Sequence, residues 1–100
     1  MAATVHNLRN ENLRPGDVRI DRRTIFGNEF IIGHDGSRAD VIAKFEQAER
    51  KRLADPGPAG EARRRKVRAL HNRRLFCWCA PLPCHGNVLA QLAAELCTPE

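Results

Sequence analysis

The sequence contains no tyrosine, one tryptophan and one methionine among its 100 residues. A core with so few aromatic rings must be built mainly from leucine, isoleucine, valine and alanine. No apolar run approaches the roughly 18 residues of a membrane-spanning helix, so we expect no membrane insertion. The first ten residues, MAATVHNLRN, lack the basic and apolar regions of a secretory signal. We therefore expect a cytoplasmic protein.

The sequence also lacks the spacings of the common ligand-binding motifs. Segment 24–38, TIFGNEFIIGHDGSR, has three glycines but matches neither the dinucleotide fingerprint nor the P-loop. There is no internal repeat, and no two of the four cysteines have the C-x₂-C spacing of a zinc knuckle. Four cysteines in a cytoplasmic chain do not indicate a disulfide framework.

The length of 100 residues predicts one domain spanning residues 1–100. Seventeen basic residues against twelve acidic ones give a net charge of +5, and this charge is unevenly distributed. The basic residues in the second predicted helix include Arg63, Arg64, Lys66 and Arg68. They form either a solvated helix face or a surface that contacts nucleic-acid phosphates without sequence preference.

Hydrophobic periodicity predicts a small α/β layered fold. Strands are predicted at Thr4–Leu8, Val18–Ile20 and Arg74–Ala80, and helices at Arg38–Ala54, Gly60–His71 and Gly86–Cys97. Ser37 and Asp40 have the spacing of a capping box at the start of the first helix. The contiguous apolar run 75–79 indicates a strand covered on both faces. The order β-β-α-α-β-α predicts a short, mostly parallel sheet with the last strand central.

Four further residues are expected in the core. Phe26, Phe30 and Ile31 make the glycine-rich segment too apolar for an idle loop, so we expect them to anchor it. Cys97 stands apart from the other cysteines and is interpreted as a small buried apolar residue.

Three of the four cysteines, the tryptophan and a histidine lie in one segment, LFCWCAPLPCHGNVL, residues 75–89. Side chains alternate along a strand, so Cys77 and Cys79 should share one face while Trp78 occupies the other. Two prolines stiffen the turn that follows. Cys84 and His85 then fall at the start of the last helix, where free N–H groups and the helix dipole favour negative charge.

Three interpretations of this corner remain open. It forms an anion or nucleotide pocket, in which the helix dipole favours a Cys84 thiolate and His85 acts as acid, base or phosphate partner. Alternatively, Cys77, Cys79, Cys84 and His85 bind zinc as a Cys₃His set, although the adjacent Cys-His pair is an unusual spacing. In the third interpretation the cysteines are small core residues.

The motifs themselves resemble a known family. Residues 75–89 are similar to the pattern L-x-C-W-C-x-P-x-P-C-H-G-[DN]-x-L of the family called domain of unknown function 4326, found in bacteria and their phages. Segments 20–22, 27–30 and 36–38 resemble its Ile-Gly-Arg, Gly-Asn-Pro-Phe and Gly-[ST]-Arg motifs. Asp21 and Glu29 depart from that pattern, replacing a glycine and a proline. The resemblance implies an α/β domain with a functional corner, and no reaction.

We expect a pocket for a nucleotide, nucleoside or other phosphorylated ligand between the last strand and the glycine-rich loop. The ligand-binding candidates are Arg22, Asn28, Arg38, Cys77, Cys79 and Gly86. The arginines would hold anionic groups through their bidentate guanidinium forks, and the asparagine would bind a base or sugar. If the protein is a hydrolase or transferase, Cys84 and His85 are the catalytic candidates.

A non-enzymatic alternative uses different features of the chain. A compact phage or mobile-element protein would bind a host protein or nucleic acid through its basic second helix. The cysteine corner would then be structural, with or without zinc. A homodimer is compatible with either alternative, since small domains often form twofold dimers.

Overall fold

The computed structural model describes residues 2–97, which contain three strands and three helices. They are β1 (Thr4–Asn7), β2 (Val18–Arg19), α1 (Arg38–Ala54), α2 (Pro58–Arg68), β3 (Arg74–Cys77) and α3 (His85–Cys97). This order confirms the predicted α/β fold. Within the described residues, no helix combines the length and apolar character needed to cross a bilayer.

The sheet has the order β1-β3-β2, and both neighbouring pairs are parallel. Leu75 of β3 pairs with Val5 on one side and with Val18 on the other. Leu75, Phe76 and Cys77 are all buried, as expected for a strand covered on both faces. The prediction that the last strand is central is therefore confirmed.

Helix α1 begins as its sequence predicts. The Ser37 side chain accepts a hydrogen bond from the Asp40 N–H, and the Asp40 carboxylate accepts one from the Ser37 N–H. This capping box satisfies two backbone donors that the first turn would leave free. Val41 and Phe45 then lie in the core. The helix ends at Ala54, before Asp55-Pro56, because a residue before proline disfavours helical geometry.

The predicted end of β3 and the predicted start of α2 are wrong by two or three residues. Strand β3 ends at Cys77, not Ala80, and the Asn7 side-chain amide then donates to the carbonyl oxygens of Trp78 and Ala80. A side chain thus replaces the strand pairing that would have extended the sheet. Helix α2 begins at Pro58 rather than Gly60, with proline in its first turn, where no N–H is needed.

Two of the four predicted core residues are exposed. Phe26 is buried and Phe30 packs half-buried against the core, as expected. Ile31 is exposed because the chain turns there, with the Ile31 N–H donating to the Asp35 carboxylate at 2.8 Å. Cys97 is also exposed, and its Sγ lies 3.7 Å from the Arg68 carbonyl oxygen, so its expected burial is wrong.

A carboxylate buried between α1 and α2 was not identified from the sequence. Glu49 is fully buried, and its Oε2 accepts a hydrogen bond from Arg63 Nε at 2.6 Å. Arg63 Nη2 and Arg52 Nη2 both donate to Glu49 Oε1. Burial alone would raise the pKa of Glu49, but the hydrogen bonds from Arg63 and Arg52 outweigh it and hold that pKa below its ordinary value.

Candidate functional site

A cleft of about 440 Å³ opens where β2 and β3 end and α1 and α3 begin. Ligands of open α/β sheets bind at this edge, beyond the carboxyl ends of the strands. The volume lies within the range of roughly 300–1,000 Å³ that is typical of small-molecule pockets. Its lining residues are Asp21, Arg22, Arg23, Asn28, Phe30, Ile32, Arg38, Val41, Ile42, Cys77, Trp78, Cys79, Cys84 and His85.

Long-range hydrogen bonds hold the walls of the cleft together. His85 Nε2 lies 2.6 Å from the Ile20 carbonyl oxygen and so ties the start of α3 to the end of β2. Arg38 Nη1 donates to the Pro83 carbonyl at 3.1 Å and ties the start of α1 to the proline turn. Together with Asn7, which holds the 78–80 turn, these bonds fix the rim from three directions.

The charged groups of the cleft are mostly cationic. Arg22, Arg23 and Arg38 line it, and Asp21 is its one lining carboxylate among the described residues. Asp21 is buried and pairs with Arg19, whose Nη2 lies 2.5 Å from Asp21 Oδ2. The hydrogen bond from Arg19 lowers the pKa of Asp21 against the opposing effect of burial. Because Asp21 pairs with Arg19, it does not neutralise the positive charge of the three arginines that line the cleft.

Glu29, the second residue that departs from the family pattern, lies outside the cleft. Glu29 Oε2 pairs with Arg52 Nη1 at 3.0 Å, on the side of the loop that faces α1. Its carboxylate is also absent from the lining of the cleft. Of the two departures, it is Asp21 that brings a carboxylate to the candidate site.

Asn28 lies in the cleft wall, and part of its amide group is used within the protein. Its Nδ2 donates to the Val41 carbonyl at 3.2 Å, and its Oδ1 accepts from the Phe30 N–H at 2.9 Å. Arg22 Nε in turn donates to the Asn28 carbonyl. Asn28 therefore shapes the loop and positions Arg22, and its contact with a base or sugar stays a prediction.

Three cysteine sulfurs meet at the cleft. The Sγ atoms of Cys77, Cys79 and Cys84 all lie within 4.8 Å of one another, and those of Cys77 and Cys84 are 3.4 Å apart. The predicted proximity of Cys77 and Cys79 agrees with this cluster. Trp78 lines the same cleft, however, because regular strand alternation stops at Cys77. Its expected placement on the opposite face is wrong.

The pKa values of the two closest thiols shift in opposite directions. The pKa of Cys77 is lowered, chiefly by its hydrogen bond with Cys84, with further N–H donors from Cys79 and Ala80. The pKa of Cys84 is raised by that same interaction and by burial. The sequence suggested that the helix dipole would favour a Cys84 thiolate. The burial of Cys84 and its contact with Cys77 oppose that effect of the dipole.

His85 is buried at the first turn of α3 and faces the cleft. Because Nε2 is 2.6 Å from the Ile20 carbonyl, that nitrogen must carry a proton and donate it. Burial lowers the pKa of His85, which favours the neutral ring. Neutral His85 therefore presents Nδ1 as an acceptor. His85 does not join the sulfur cluster, so the four ligands of a Cys₃His site are not brought together.

Gly86 is buried but does not line the cleft. It lies beside Cys84, whose Sγ accepts a hydrogen bond from the Gly86 N–H at 3.3 Å. The Cys84 N–H donates to Asn87 Oδ1 at 2.9 Å, so the Asn87 side chain satisfies a backbone donor at the start of α3. The Cys-His-Gly-Asn segment is thus a helix-start motif, and Gly86 contributes close packing rather than a ligand contact.

Replacing Gly86 with alanine is expected to lower the free energy of unfolding by about 1–3 kcal/mol, the usual cost of overpacking. A Cβ atom there would lie 2.7 Å from Ile20 Cδ1 and 3.0 Å from Val5 Cγ1. Glycine-to-alanine changes inside helices normally stabilise a protein, so the sign of the effect is diagnostic. Urea denaturation of the two proteins measures it, and a more stable variant would contradict the close packing.

The basic residues of α2 mostly have partners within the protein. Arg63 binds Glu49, Arg64 Nη1 donates to the carbonyls of Leu53 and Asp55, and Arg68 Nε donates to Leu96. Lys66 is exposed. These arginines hold α2 against its neighbours, so the geometry gives little support to the predicted nucleic-acid surface.

Comparisons with known proteins agree with the motifs. Residues 4–95 match the model of a family described as domain of unknown function, DUF4326. The chain is also 36% identical, over 81 residues, to an uncharacterized 12.4 kDa protein in the nrdA-td intergenic region of Enterobacteria phage T4. That alignment covers 80% of this chain and 69% of the phage protein. No solved structure matches significantly. The family resemblance inferred from residues 75–89 is confirmed, and the chain belongs to the DUF4326 family.

Proposed function

We propose that the cleft binds a nucleotide or a similar small molecule that carries both a phosphate and a flat ring. The observation that carries the proposal is the convergence of Arg22, Arg38 and Trp78 on one cleft at the carboxyl end of a parallel sheet. The arginines suit the phosphate, and the indole suits the ring.

Arg22 and Arg38 are pre-positioned for an anion. Arg22 uses Nε and Nη2 for the carbonyls of Asn28 and Phe30, while Arg38 uses Nη1 for that of Pro83. Arg22 Nη1 and Arg38 Nη2 make no hydrogen bond within residues 2–97 and remain available to a ligand. Because the protein already fixes both guanidinium groups, binding a phosphate would cost less side-chain entropy.

The apolar part of the cleft supports a flat ring. Trp78 is 53% exposed and Ile32 is 48% exposed, although both are large apolar residues beside the cleft. An exposed indole at a cleft rim offers a stacking surface for a base. His85 Nδ1 adds one hydrogen-bond acceptor for a ligand N–H or hydroxyl group.

The burial of Cys84 gives no support to a role as a catalytic nucleophile. A nucleophilic cysteine must form a thiolate, and Cys84 is buried with its pKa raised. The proposal therefore assigns a ligand to the cleft and leaves the reaction unassigned.

Titration with nucleoside monophosphates, nucleoside triphosphates and free nucleosides tests the proposal. Trp78 is the only tryptophan and there is no tyrosine, so intrinsic fluorescence reports directly on the cleft. We expect nucleotides to change this fluorescence and nucleosides to bind more weakly. Replacing Arg38 with glutamine should weaken nucleotide binding by about tenfold, equivalent to about 1.4 kcal/mol.

Arg65→Gln is the matched control, because it removes the same charge from an exposed site on α2 where Arg65 pairs loosely with Glu61 at 3.6 Å. It should leave nucleotide affinity unchanged. Absence of any saturable fluorescence change would contradict the proposal. Equal losses in the Arg38 and Arg65 variants would also do so, since they would indicate attraction to net charge alone.

A further inference from the structure

We propose that Cys77, Cys79 and Cys84 together bind one zinc ion through three thiolates, with the fourth coordination position open to the cleft. This site differs from the Cys₃His set suggested by the sequence, because His85 is not a ligand. It also does not depend on the proposed nucleotide, since the sulfur cluster lies within the protein itself.

The distances fit a shared metal ion. Tetrahedral zinc, with Zn–S bonds of about 2.3 Å, separates two sulfur ligands by about 3.8 Å. The Cys77 and Cys84 sulfurs are 3.4 Å apart, and all three sulfurs lie within 4.8 Å of one another. Movements of no more than about 1 Å per sulfur would bring the set to zinc geometry. Thiolates are also the ligands that select thiophilic ions such as zinc.

Backbone donors support the sulfurs. The Gly86 N–H donates to Cys84 Sγ at 3.3 Å, and the Cys79 N–H donates to Cys77 Sγ at 3.5 Å. Hydrogen bonds to ligand atoms fix their orientation and tune a metal site. Three thiolates on a divalent ion leave one negative charge, and Cys84 places it at the amino-terminal end of α3, where the helix dipole favours an anion.

Two observations distinguish this site from the alternatives. His85 Nε2 is bonded to the Ile20 carbonyl, and the ring does not join the sulfur cluster. A disulfide between Cys77 and Cys84 would account for two of the three sulfurs but would leave the convergence of Cys79 unexplained. All three cysteines line the cleft, so water or a donor atom from a bound molecule can reach the fourth position.

Metal analysis of protein grown with added zinc and purified without chelator tests the proposal. We expect about one zinc per chain. Cys79→Ser is the decisive variant, because Cys79 is only half-buried and its replacement should leave the fold intact. It should lower zinc content at least tenfold after dialysis against a weak chelator. Cobalt(II) added to metal-free protein should give thiolate-to-cobalt absorbance in the near ultraviolet.

Two control variants make the result specific. Cys97→Ser removes an exposed cysteine outside the cluster and should retain full zinc content. His85→Gln should also retain zinc, and loss of the metal in that variant would overturn the three-thiolate assignment in favour of a Cys₃His site. Zinc-free wild-type protein with four titratable thiols would overturn the proposal. So would zinc-free protein with only two, since that count would indicate a disulfide.

Discussion

Replacing Glu49 with alanine is expected to lower the free energy of unfolding by about 3–5 kcal/mol, the usual cost of breaking a buried ion pair. The carboxylate is fully buried between α1 and α2 and receives hydrogen bonds from Arg63 and Arg52. Its removal would leave Arg63, which is only 13% exposed, without its carboxylate partner. Small domains have total stabilities of about 5–15 kcal/mol, so the variant would be marginally folded.

Denaturation by urea at neutral pH measures this loss. Glu61→Ala is the control, because Glu61 is 70% exposed and its pair with Arg65 is long at 3.6 Å. Exposed pairs contribute about 0–1 kcal/mol. Similar losses in the two variants would mean that Glu49 is solvated and that the packing of α1 on α2 does not depend on it.

The pH dependence gives a second measure of Glu49. Its folded pKa lies below the ordinary value, so the stabilisation is complete above the unfolded pKa of about 4.3 and is lost as pH falls through the folded pKa. The stability difference between wild type and Glu49→Ala should therefore be constant from neutral pH to about pH 5. It should shrink at lower pH, and a difference that grows on acidification would contradict the assigned direction.

The burial of Glu49 could not be predicted from the sequence. On α1 it lies among charged neighbours, and a helical pattern assigns such residues to the solvent face. Its burial depends on Arg63, fourteen residues away on another helix. No periodicity within α1 contains that contact. Local patterns thus predicted the bounds and capping of α1, whereas a long-range ion pair decided which of its charges is buried.

The cysteine cluster was also only partly predictable, because part of it depends on local spacing and part on long-range contacts. The i, i+2 spacing of Cys77 and Cys79 indicated that their side chains lie together. The approach of Cys84 depends on how the proline turn folds back, and a spacing of seven residues does not specify that path. The orientation of His85 depends on the carbonyl of Ile20, which is distant in sequence. The sequence therefore identified the residues of the corner, and tertiary contacts decided their roles.

The cleft was predicted in the right place because its location follows from topology. Parallel strands place their carboxyl ends at one edge, and the chain must cross that edge to enter each following helix. Arg22 and Arg38 lie directly after β2 and at the start of α1, so both reach the edge. The role of Asn28 could not be predicted, because its amide is used by the Val41 carbonyl and the Phe30 N–H.

Replacing Phe45 with alanine is expected to cost about 3–5 kcal/mol, the usual effect of deleting a buried aromatic ring. Phe45 is fully buried on α1, and its ring meets the His85 ring edge-on, with centroids 5.2 Å apart. The deletion would leave a cavity directly behind His85. Loss of this packing should also loosen the hydrogen bond from His85 to the Ile20 carbonyl, which ties α3 to β2.

Thermal and urea denaturation measure the stability of the Phe45 variant. Ile31→Ala removes an apolar side chain that is 46% exposed, and it should change stability by no more than about 0.5 kcal/mol. Phe45→Leu keeps much of the volume and should lie between the two. If Phe45→Ala were as mild as Ile31→Ala, the core would not extend to His85, and the rigidity of the cleft would need another source. A large loss with an intermediate leucine variant would instead mean that the packing of Phe45 behind His85 stabilises the fold.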